Sequence, residues 1–514
     1  MKLAAEVLKI TAGGKRIAII SEETANLLGV NSSDRIKIIY GSQEMIAIVN
    51  IATHFPRNRI GFYEEISEVL GLVGDEIVKV EHAELPESIT HVRAKVSGKR
   101  LKEQEIRKIV VDVVERHLSD VEIAAFITSL NIYGLSMGEN EALSKAMVQT
   151  GKKLEFGRVP ILDKHSIGGI PGDKTSLLVV PIIAAAGFTI PKTSSRAVTS
   201  PAGTADRFET LCPVKLSIPE IKRVVKKTNG CLVWGGALDL APADDLFIKV
   251  EYPLGIDPLL LPSILSKKKA IGASHIIIDI PTGRGAKIKD LAEAYTLASD
   301  FIDLGKRLKM NIQCALTYGE QPLGWAVGPA LEAKEALLTI MGNGPEDLVE
   351  KAITLAGMLF EIVGLKDGRK KAQNLLQSGK AEKKLREIIK EQGGNPRIKP
   401  EEIVIGDKIA SIRAEQPGRI SWISTERIAQ IAKAAGAPKT KGAGIILKKK
   451  LGDNAKKNEV LMEIYAERNN KLKTALEIAK KMQPVVLSKK IRDQILLDKI
   501  PEKFSTEKAF ILER

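Results

Sequence analysis

Aromatic side chains make up only 4% of this 514-residue chain. That scarcity counts against modules that hold single-stranded nucleic acid by stacking bases on aromatic platforms. Cysteine occurs three times, at Cys212, Cys231 and Cys314, with no Cys-x-x-Cys spacing. So few thiols, so spaced, exclude a disulfide framework and a thiolate metal cluster. They predict a protein of the reducing cytoplasm. No apolar run reaches twenty residues, and the opening MKLAAEVLKI lacks a signal-peptide core. A membrane partner is therefore not expected. The glycine-rich segments match neither GxxxxGK[ST] nor GxGxxG, which disfavours a P-loop triphosphatase and a dinucleotide dehydrogenase.

What the chain does have is positive charge and two unusual loops. The net charge is +15, a balance that favours anionic partners. Lysine is spread along the chain and concentrates after about Lys366, which reads as a solvated surface more than a nucleic-acid stripe. Residues Asp163 to Ser176 read DKHSIGGIPGDKTS: three glycines, two lysines, one histidine and three hydroxyls in fourteen residues. Such a segment lets backbone N–H groups and small hydroxyls close on an anion while the lysines supply charge. A bound anion would favour protonated His165. Residues Lys192 to Glu209 read KTSSRAVTSPAGTADRFE and repeat the theme. Either loop alone can be an ordinary turn before a helix. Two of them, both after apolar runs, point to two phosphates or one doubly phosphorylated ligand.

The rest of the chain predicts a multidomain α/β protein. Residues 1–84 alternate with period two in short β-branched runs such as KRIAII and DRIKIIY, as a small β-barrel does. One helix is expected near Glu22 to Leu28. Residues 85–159 read as an α-helical lobe, to which later helices contribute. Ser119 with Glu122 and Ser136 with Glu139 form capping boxes there. Residues 160–399 alternate apolar runs with helical stretches, predicting an α/β domain with a mostly parallel sheet and ligand loops at strand ends. Residues 400–514 are expected to form a C-terminal α+β domain.

The first loop resembles the KHSTGGVGDK signature of the thymidine/pyrimidine-nucleoside phosphorylase family, with Pro171 inserted before Gly172. The resemblance continues in order through LAPAD (Leu240 to Asp244), SILSKKKAIG (Ser263 to Gly272), DIPTGRGAK (Asp279 to Lys287) and AEQPGRI (Ala414 to Ile420). It spans about Val92 to Pro484. The forms SIGGIPGDKTS, KTSSRAVTSPAGTAD and VEYPLGIDP are similar to the branch that acts on nucleoside 5′-monophosphates. This resemblance implies phosphorolysis of AMP, with CMP and UMP as further substrates, to free base and ribose 1,5-bisphosphate. It implies no cofactor or metal, and a homo-oligomer of two or more copies.

Carried over by position, the family's inorganic-phosphate site falls on Lys164, Ser166, Ser176, Ser194 and Thr204, and His165 lies near the sugar. AMP contacts are implied at Gly169, at Ser195, Arg196, Ala197, Val198, Thr199 and Ser200, at Thr204, Ser263 and Lys287. Arg196 and Lys287 are the charges expected near the 5′-phosphate. Ser263 and Lys267 match base-contacting residues. Glu251 stands where the pyrimidine enzymes carry a carbonyl-reading arginine, so a base bearing an exocyclic amine is favoured. Asp257 is the implied proton donor to the leaving base, with a pKa raised by burial or a nearby anion. Read from the residues alone, it is equally a helix N-cap.

Three alternatives stay open. One is a plain nucleoside phosphorylase. Another is an anthranilate-type phosphoribosyltransferase, for whose metal-binding carboxylates only Asp206 with Glu209 is a candidate. The third is a non-enzymatic adaptor built on the N-terminal barrel.

Overall fold

The computed structural model describes residues 1–157, 160–197 and 200–488. Val198 and Thr199, both expected at the nucleotide, lie outside the described residues. The chain is multidomain α/β and forms two compact units: 1–150 with 241–262, and 151–240 with 263–514.

The first unit begins with a closed six-stranded barrel. Its strands run in the order Lys2–Val7, Arg59–Phe62, Ile17–Ser21, Gln43–Ala52, Arg35–Tyr40, Ile77–His82. The period-two pattern buries Ile36, Ile38, Val78 and Val80 inside it. The expected helix is Glu22–Leu28, capped by the Ser21 hydroxyl and closed by left-handed Gly29. Five helices follow: Ser88–Val96, Glu103–Val114, Asp120–Tyr133, Met137–Gln149 and Pro242–Leu254. Both expected capping boxes form, at Ser119 and at Ser136. Glu139 does more than cap. It also pairs with buried Lys95 at 2.7 Å and with Arg100 at 2.8 Å, and these partners hold its carboxyl down to about 2 against the cost of burial.

The second unit carries two parallel sheets, Asn311–Tyr318, His275–Thr282, Leu162–Ser166 and, beside them, Ile190–Ser194 with Gly230–Trp234. A parallel bridge between Ile161 and Thr189 joins them, so all five strands end on the same side. The apolar run after the first loop is the helix Ser176–Ala185, buried nearly throughout. It packs with Pro329–Ile340, Glu346–Glu361 and Lys380–Glu391 into the main core. The C-terminal part has a four-stranded and a three-stranded antiparallel arrangement with the helices Thr425–Ala435 and Asn469–Met482. Ala326–Val327, from the preceding part of the chain, pairs with Gly444–Leu447 in the larger sheet.

Candidate active site

The first loop leaves the C-terminal end of Leu162–Ser166. Register with the neighbouring strand sets His165 beside Ile278 and Ser166 beside Asp279. Gly168 and Gly169 then take φ of 86° and 92°, a region that costs glycine little and other residues much. The crowding is as severe as the dihedral. A Cβ on Gly169 would lie 2.5 Å from the Lys287 amide nitrogen, and one on Gly172 would lie 2.5 Å from the Leu323 carbonyl oxygen. The loop enters the Ser176–Ala185 helix, whose Leu177 and Leu178 amides donate to the Lys174 and Thr175 carbonyls at 2.9 and 3.0 Å. Gly169, Ser166, Ser176 and the Lys287 backbone are thus brought to one end of the sheet.

Beneath this loop lies an ion network that is almost wholly buried. Lys164 Nζ is 3.6 Å from both Asp173 and Asp279. Lys351 reaches Asp279 at 2.8 Å and Asp173 at 3.7 Å. Asp163 takes Lys268 at 2.6 Å and Lys192 at 3.6 Å. Four lysines face three aspartates, an excess of one positive charge when Lys192, which shares Asp163 with Lys268, is protonated. The titrations follow. Burial opposes charge on Asp173, but Lys164, Lys351 and the Thr175 hydroxyl outweigh it and hold the carboxyl well below its usual range. Burial, with Lys268 and Lys164 adding repulsion against the pull of Asp163, brings Lys192 down to about 7.

Burial, together with Lys268, Lys192, Lys164 and Lys267, drives the His165 pKa well below its ordinary value. One expectation needs correction here. Lys174, one of the two lysines expected to charge the loop, is fully buried and turned into the fold. Its ammonium donates to the Leu323 and Ala326 carbonyls at 3.0 and 3.1 Å and to Glu335.

The second loop follows Ile190–Ser194, where the Ser194 hydroxyl donates to the Val233 carbonyl at 3.2 Å. It folds back on itself. Gly203 abuts Ser195, Arg196 and Ala197 so closely that a Cβ would lie 2.6 Å from their backbone. One oxygen of buried Asp206 accepts from the amides of Ala197 and Gly203 at 2.7 and 3.0 Å. Thr204 opens the short helix Thr204–Phe208, and its hydroxyl accepts from Arg207 at 3.4 Å. Arg196 does not stand free for a phosphate, contrary to expectation. Its guanidinium bonds Glu209 through both nitrogens, at 2.7 and 2.5 Å, and Asp206 at 3.1 Å, and lies 4.9 Å over the Trp234 ring. Asp206 and Glu209 are therefore occupied by protein cations.

Ser263 and Lys267 are one turn apart on Leu260–Ala270, both half-buried, and Lys267 is close enough to act on His165. Lys287 is exposed, on a loop fastened by a bond from the Arg284 amide to Glu320 at 2.9 Å and by the Thr425 hydroxyl on the Gly285 carbonyl. Glu251 and Asp257 belong to the first unit. Glu251 is buried in Pro242–Leu254, which Gly255 ends in a left-handed cap. Asp257 follows in the next turn, exposed rather than buried. The following helix begins at Leu260, so Asp257 precedes its N-cap position by two residues. Sequence reasoning missed Asp163, Lys192, Lys268, Asp279 and Lys351. The first four sit inside the quoted motifs, whereas Lys351 lies in a helix with no local signal.

Comparison with known proteins decides the family. Residues 158–382 match the glycosyl transferase family a/b domain, and residues 90–151 match its helical bundle domain. Residues 419–485 match the pyrimidine nucleoside phosphorylase C-terminal domain. The AMP phosphorylase of Thermofilum pendens is 46% identical over all of both chains. That of Thermococcus sibiricus is 50% identical over 94% of this chain and 97% of its own. The chain belongs to the AMP phosphorylase family. It is accordingly an enzyme of the pentosyl-transferring class. Among solved structures, anthranilate phosphoribosyltransferase from Thermus thermophilus shares the fold, with a TM-score of 0.51 at 20% identity. It covers 59% of this chain and 98% of its own. Among the described residues no helix is long and apolar enough to cross a membrane.

Proposed function

We propose that this enzyme cleaves AMP with inorganic phosphate to adenine and ribose 1,5-bisphosphate, and accepts CMP and UMP as further substrates. The observation that carries the reading is the cation excess buried under the Ser166–Ser176 loop, at the strand ends where α/β folds take their ligands. The name shared by the relatives supplies the nucleotide.

In this reading the first loop takes the attacking phosphate. Ser166, Ser176 and Thr204 donate hydrogen bonds to it, Ser194 does so in exchange for its bond to the Val233 carbonyl, and Lys164 contributes charge. A dianion held by prearranged donors in a buried cationic field needs little reorganisation as the reaction proceeds. One phosphate oxygen bonds to C1′ of the ribose while the bond from C1′ to N9 of adenine breaks. The electron pair goes to the base, and Asp257 delivers a proton to N7. His165, neutral beside the sugar, donates or accepts a hydrogen bond without adding charge to the phosphate site. The backbone and hydroxyls of 195–200, with Gly169, Thr204, Ser263 and Lys287, take the nucleotide. Arg196 serves by shaping that loop. Lys267 and Glu251 contact the base, where an acceptor such as Glu251 suits an exocyclic amine. The proposal extends to nucleotide degradation in the cytoplasm by a homo-oligomer, with the N-terminal barrel as its assembly scaffold.

The test is release of adenine from AMP and from adenosine, with and without phosphate. AMP should yield adenine only when phosphate is present, and adenosine should be far poorer. Equal rates restore a nucleoside phosphorylase. Asp257→Asn should cost on the order of 10²–10⁴-fold in kcat, the usual contribution of a positioned acid, with KM for AMP changing much less. Wild-type turnover in that variant removes Asp257 from the chemistry.

A further inference from the structure

The Ser/Thr-rich loop is braced by a residue 232 positions further along the chain than Glu209. Lys441 lies between the Thr425–Ala435 helix and the Gly444–Leu447 strand. Its ammonium donates to Glu209 Oε2 at 2.7 Å and lies 3.5 Å from Asp206 Oδ1. These are the carboxylates that hold Arg196. Asp206 also holds the amides of Ala197 and Gly203 with its other oxygen.

The backbone that delivers Lys441 is itself fastened. The Lys441 carbonyl accepts from the Ala330 amide at 3.0 Å, and the Gly442 carbonyl accepts from the Gly406 amide at 2.8 Å. The Gly442 amide donates to Glu467 at 3.0 Å. The ammonium therefore comes from a fixed support in the C-terminal part of the unit, not from a mobile tail.

Charge completes the argument. Asp206 and Glu209 are matched by Arg196 and Lys441, two against two. Arg196 alone would leave this cluster one negative charge in excess, beside a loop expected to accept a phosphate dianion. Like charges at that range oppose binding, and an underconstrained carboxylate pair no longer fixes the Ala197 and Gly203 amides. The Arg196 bond is the larger of the two forces that keep the Glu209 carboxyl at about 2, and Lys441 adds to it.

We propose that Lys441 is a positioning residue for the nucleotide loop. It neutralises the Asp206–Glu209 pair and thereby keeps the Ala197 and Gly203 amides on Asp206, which fixes the shape of the loop that takes the nucleotide. The proposal rests on the reading of that loop as the nucleotide site, and its test separates the two. Lys441→Met and Lys441→Arg would be compared with wild type by hydrogen exchange at the Ala197 and Gly203 amides, a readout that needs no activity. Initial rates would be measured alongside. Lys441→Met should speed exchange at both amides and raise KM for AMP by about tenfold, the order of one charged hydrogen bond. Its kcat and its KM for phosphate should stay within about twofold of wild type. Lys441→Arg should restore both readouts. Wild-type exchange in Lys441→Met overturns the brace. So does an equal rise in both KM values. Faster exchange in a protein whose wild type releases no adenine from AMP supports the brace and overturns the nucleotide reading.

Discussion

The two glycine- and hydroxyl-rich loops look alike in composition and are built on opposite electrostatic plans. Under the first, four buried lysines meet three aspartates, with the surplus at Asp163, which Lys192 and Lys268 share. In the second, the arginine is answered by Asp206 and Glu209, and those two carboxylates by Arg196 and Lys441. The first loop attracts by net charge. The second presents a neutral frame, its Ala197 and Gly203 amides held on Asp206. Charge counted along a sequence is therefore not charge at a site. What matters is which counter-ion the fold delivers.

The sharpest way to break this comparison uses the two lysines of the first loop, both buried and ion-paired, to which the proposal gives different tasks. Lys174→Met leaves Glu335 buried without its cation, a loss of about 3–5 kcal/mol for a broken buried pair. It should lower the thermal midpoint by on the order of 5 °C. Stability equal to wild type would mean that Lys174 is not structural. Lys164→Met, which touches ligand in this account, should cost about 10²-fold in kcat/KM, the order of a lost charged hydrogen bond to phosphate. An unchanged kcat/KM would remove Lys164 from the phosphate site.

Arg196→Ala sharpens the second half. With Glu209 and Asp206 released, the loop loses shape and gains negative charge. The ratio of kcat/KM for AMP over adenosine should fall by about tenfold. Equal losses on both substrates would assign Arg196 to the fold at large.

The smallest effect is a pH dependence at the first loop. Lys192 is held at about 7, and a nearby anion favours its protonated form. Below that pH the proton is already in place. Above it, binding must take up a proton, so anion affinity falls as pH rises. Phosphate itself titrates near neutrality, so inhibition by sulfate is the cleaner probe. Its inhibition constant should rise about three- to tenfold between roughly pH 6.5 and 8.5. A flat profile would separate Lys192 from the site.

Much of the scaffold was legible because it rests on local periodicity and short-range caps. The barrel strands, the Glu22–Leu28 helix and the boxes at Ser119 and Ser136 are patterns within a few residues. The loops were legible as glycine-rich turns at strand ends for the same reason. Their charge state was not. Lys351 reaches Asp279 from a helix that carries no loop signature, and Lys441 reaches Glu209 from the C-terminal part of the chain. Which carboxylates Lys164 and Lys174 meet depends on strand register and on Glu335, a residue 161 positions away from Lys174. Protonation of His165 went the same way. Lys192, Lys267 and Lys268, which depress its pKa along with burial, come from other segments of the chain.

The account claims above all that each loop serves a different phosphate. The most direct test is the pair of Michaelis constants, for phosphate and for AMP, in Lys164→Met and Arg196→Ala. The prediction is a crossed pattern. Lys164→Met raises KM for phosphate by about tenfold or more and leaves KM for AMP near wild type, and Arg196→Ala does the reverse. Parallel rises in both constants in both variants would contradict it, because the two loops would then form one undivided anion site.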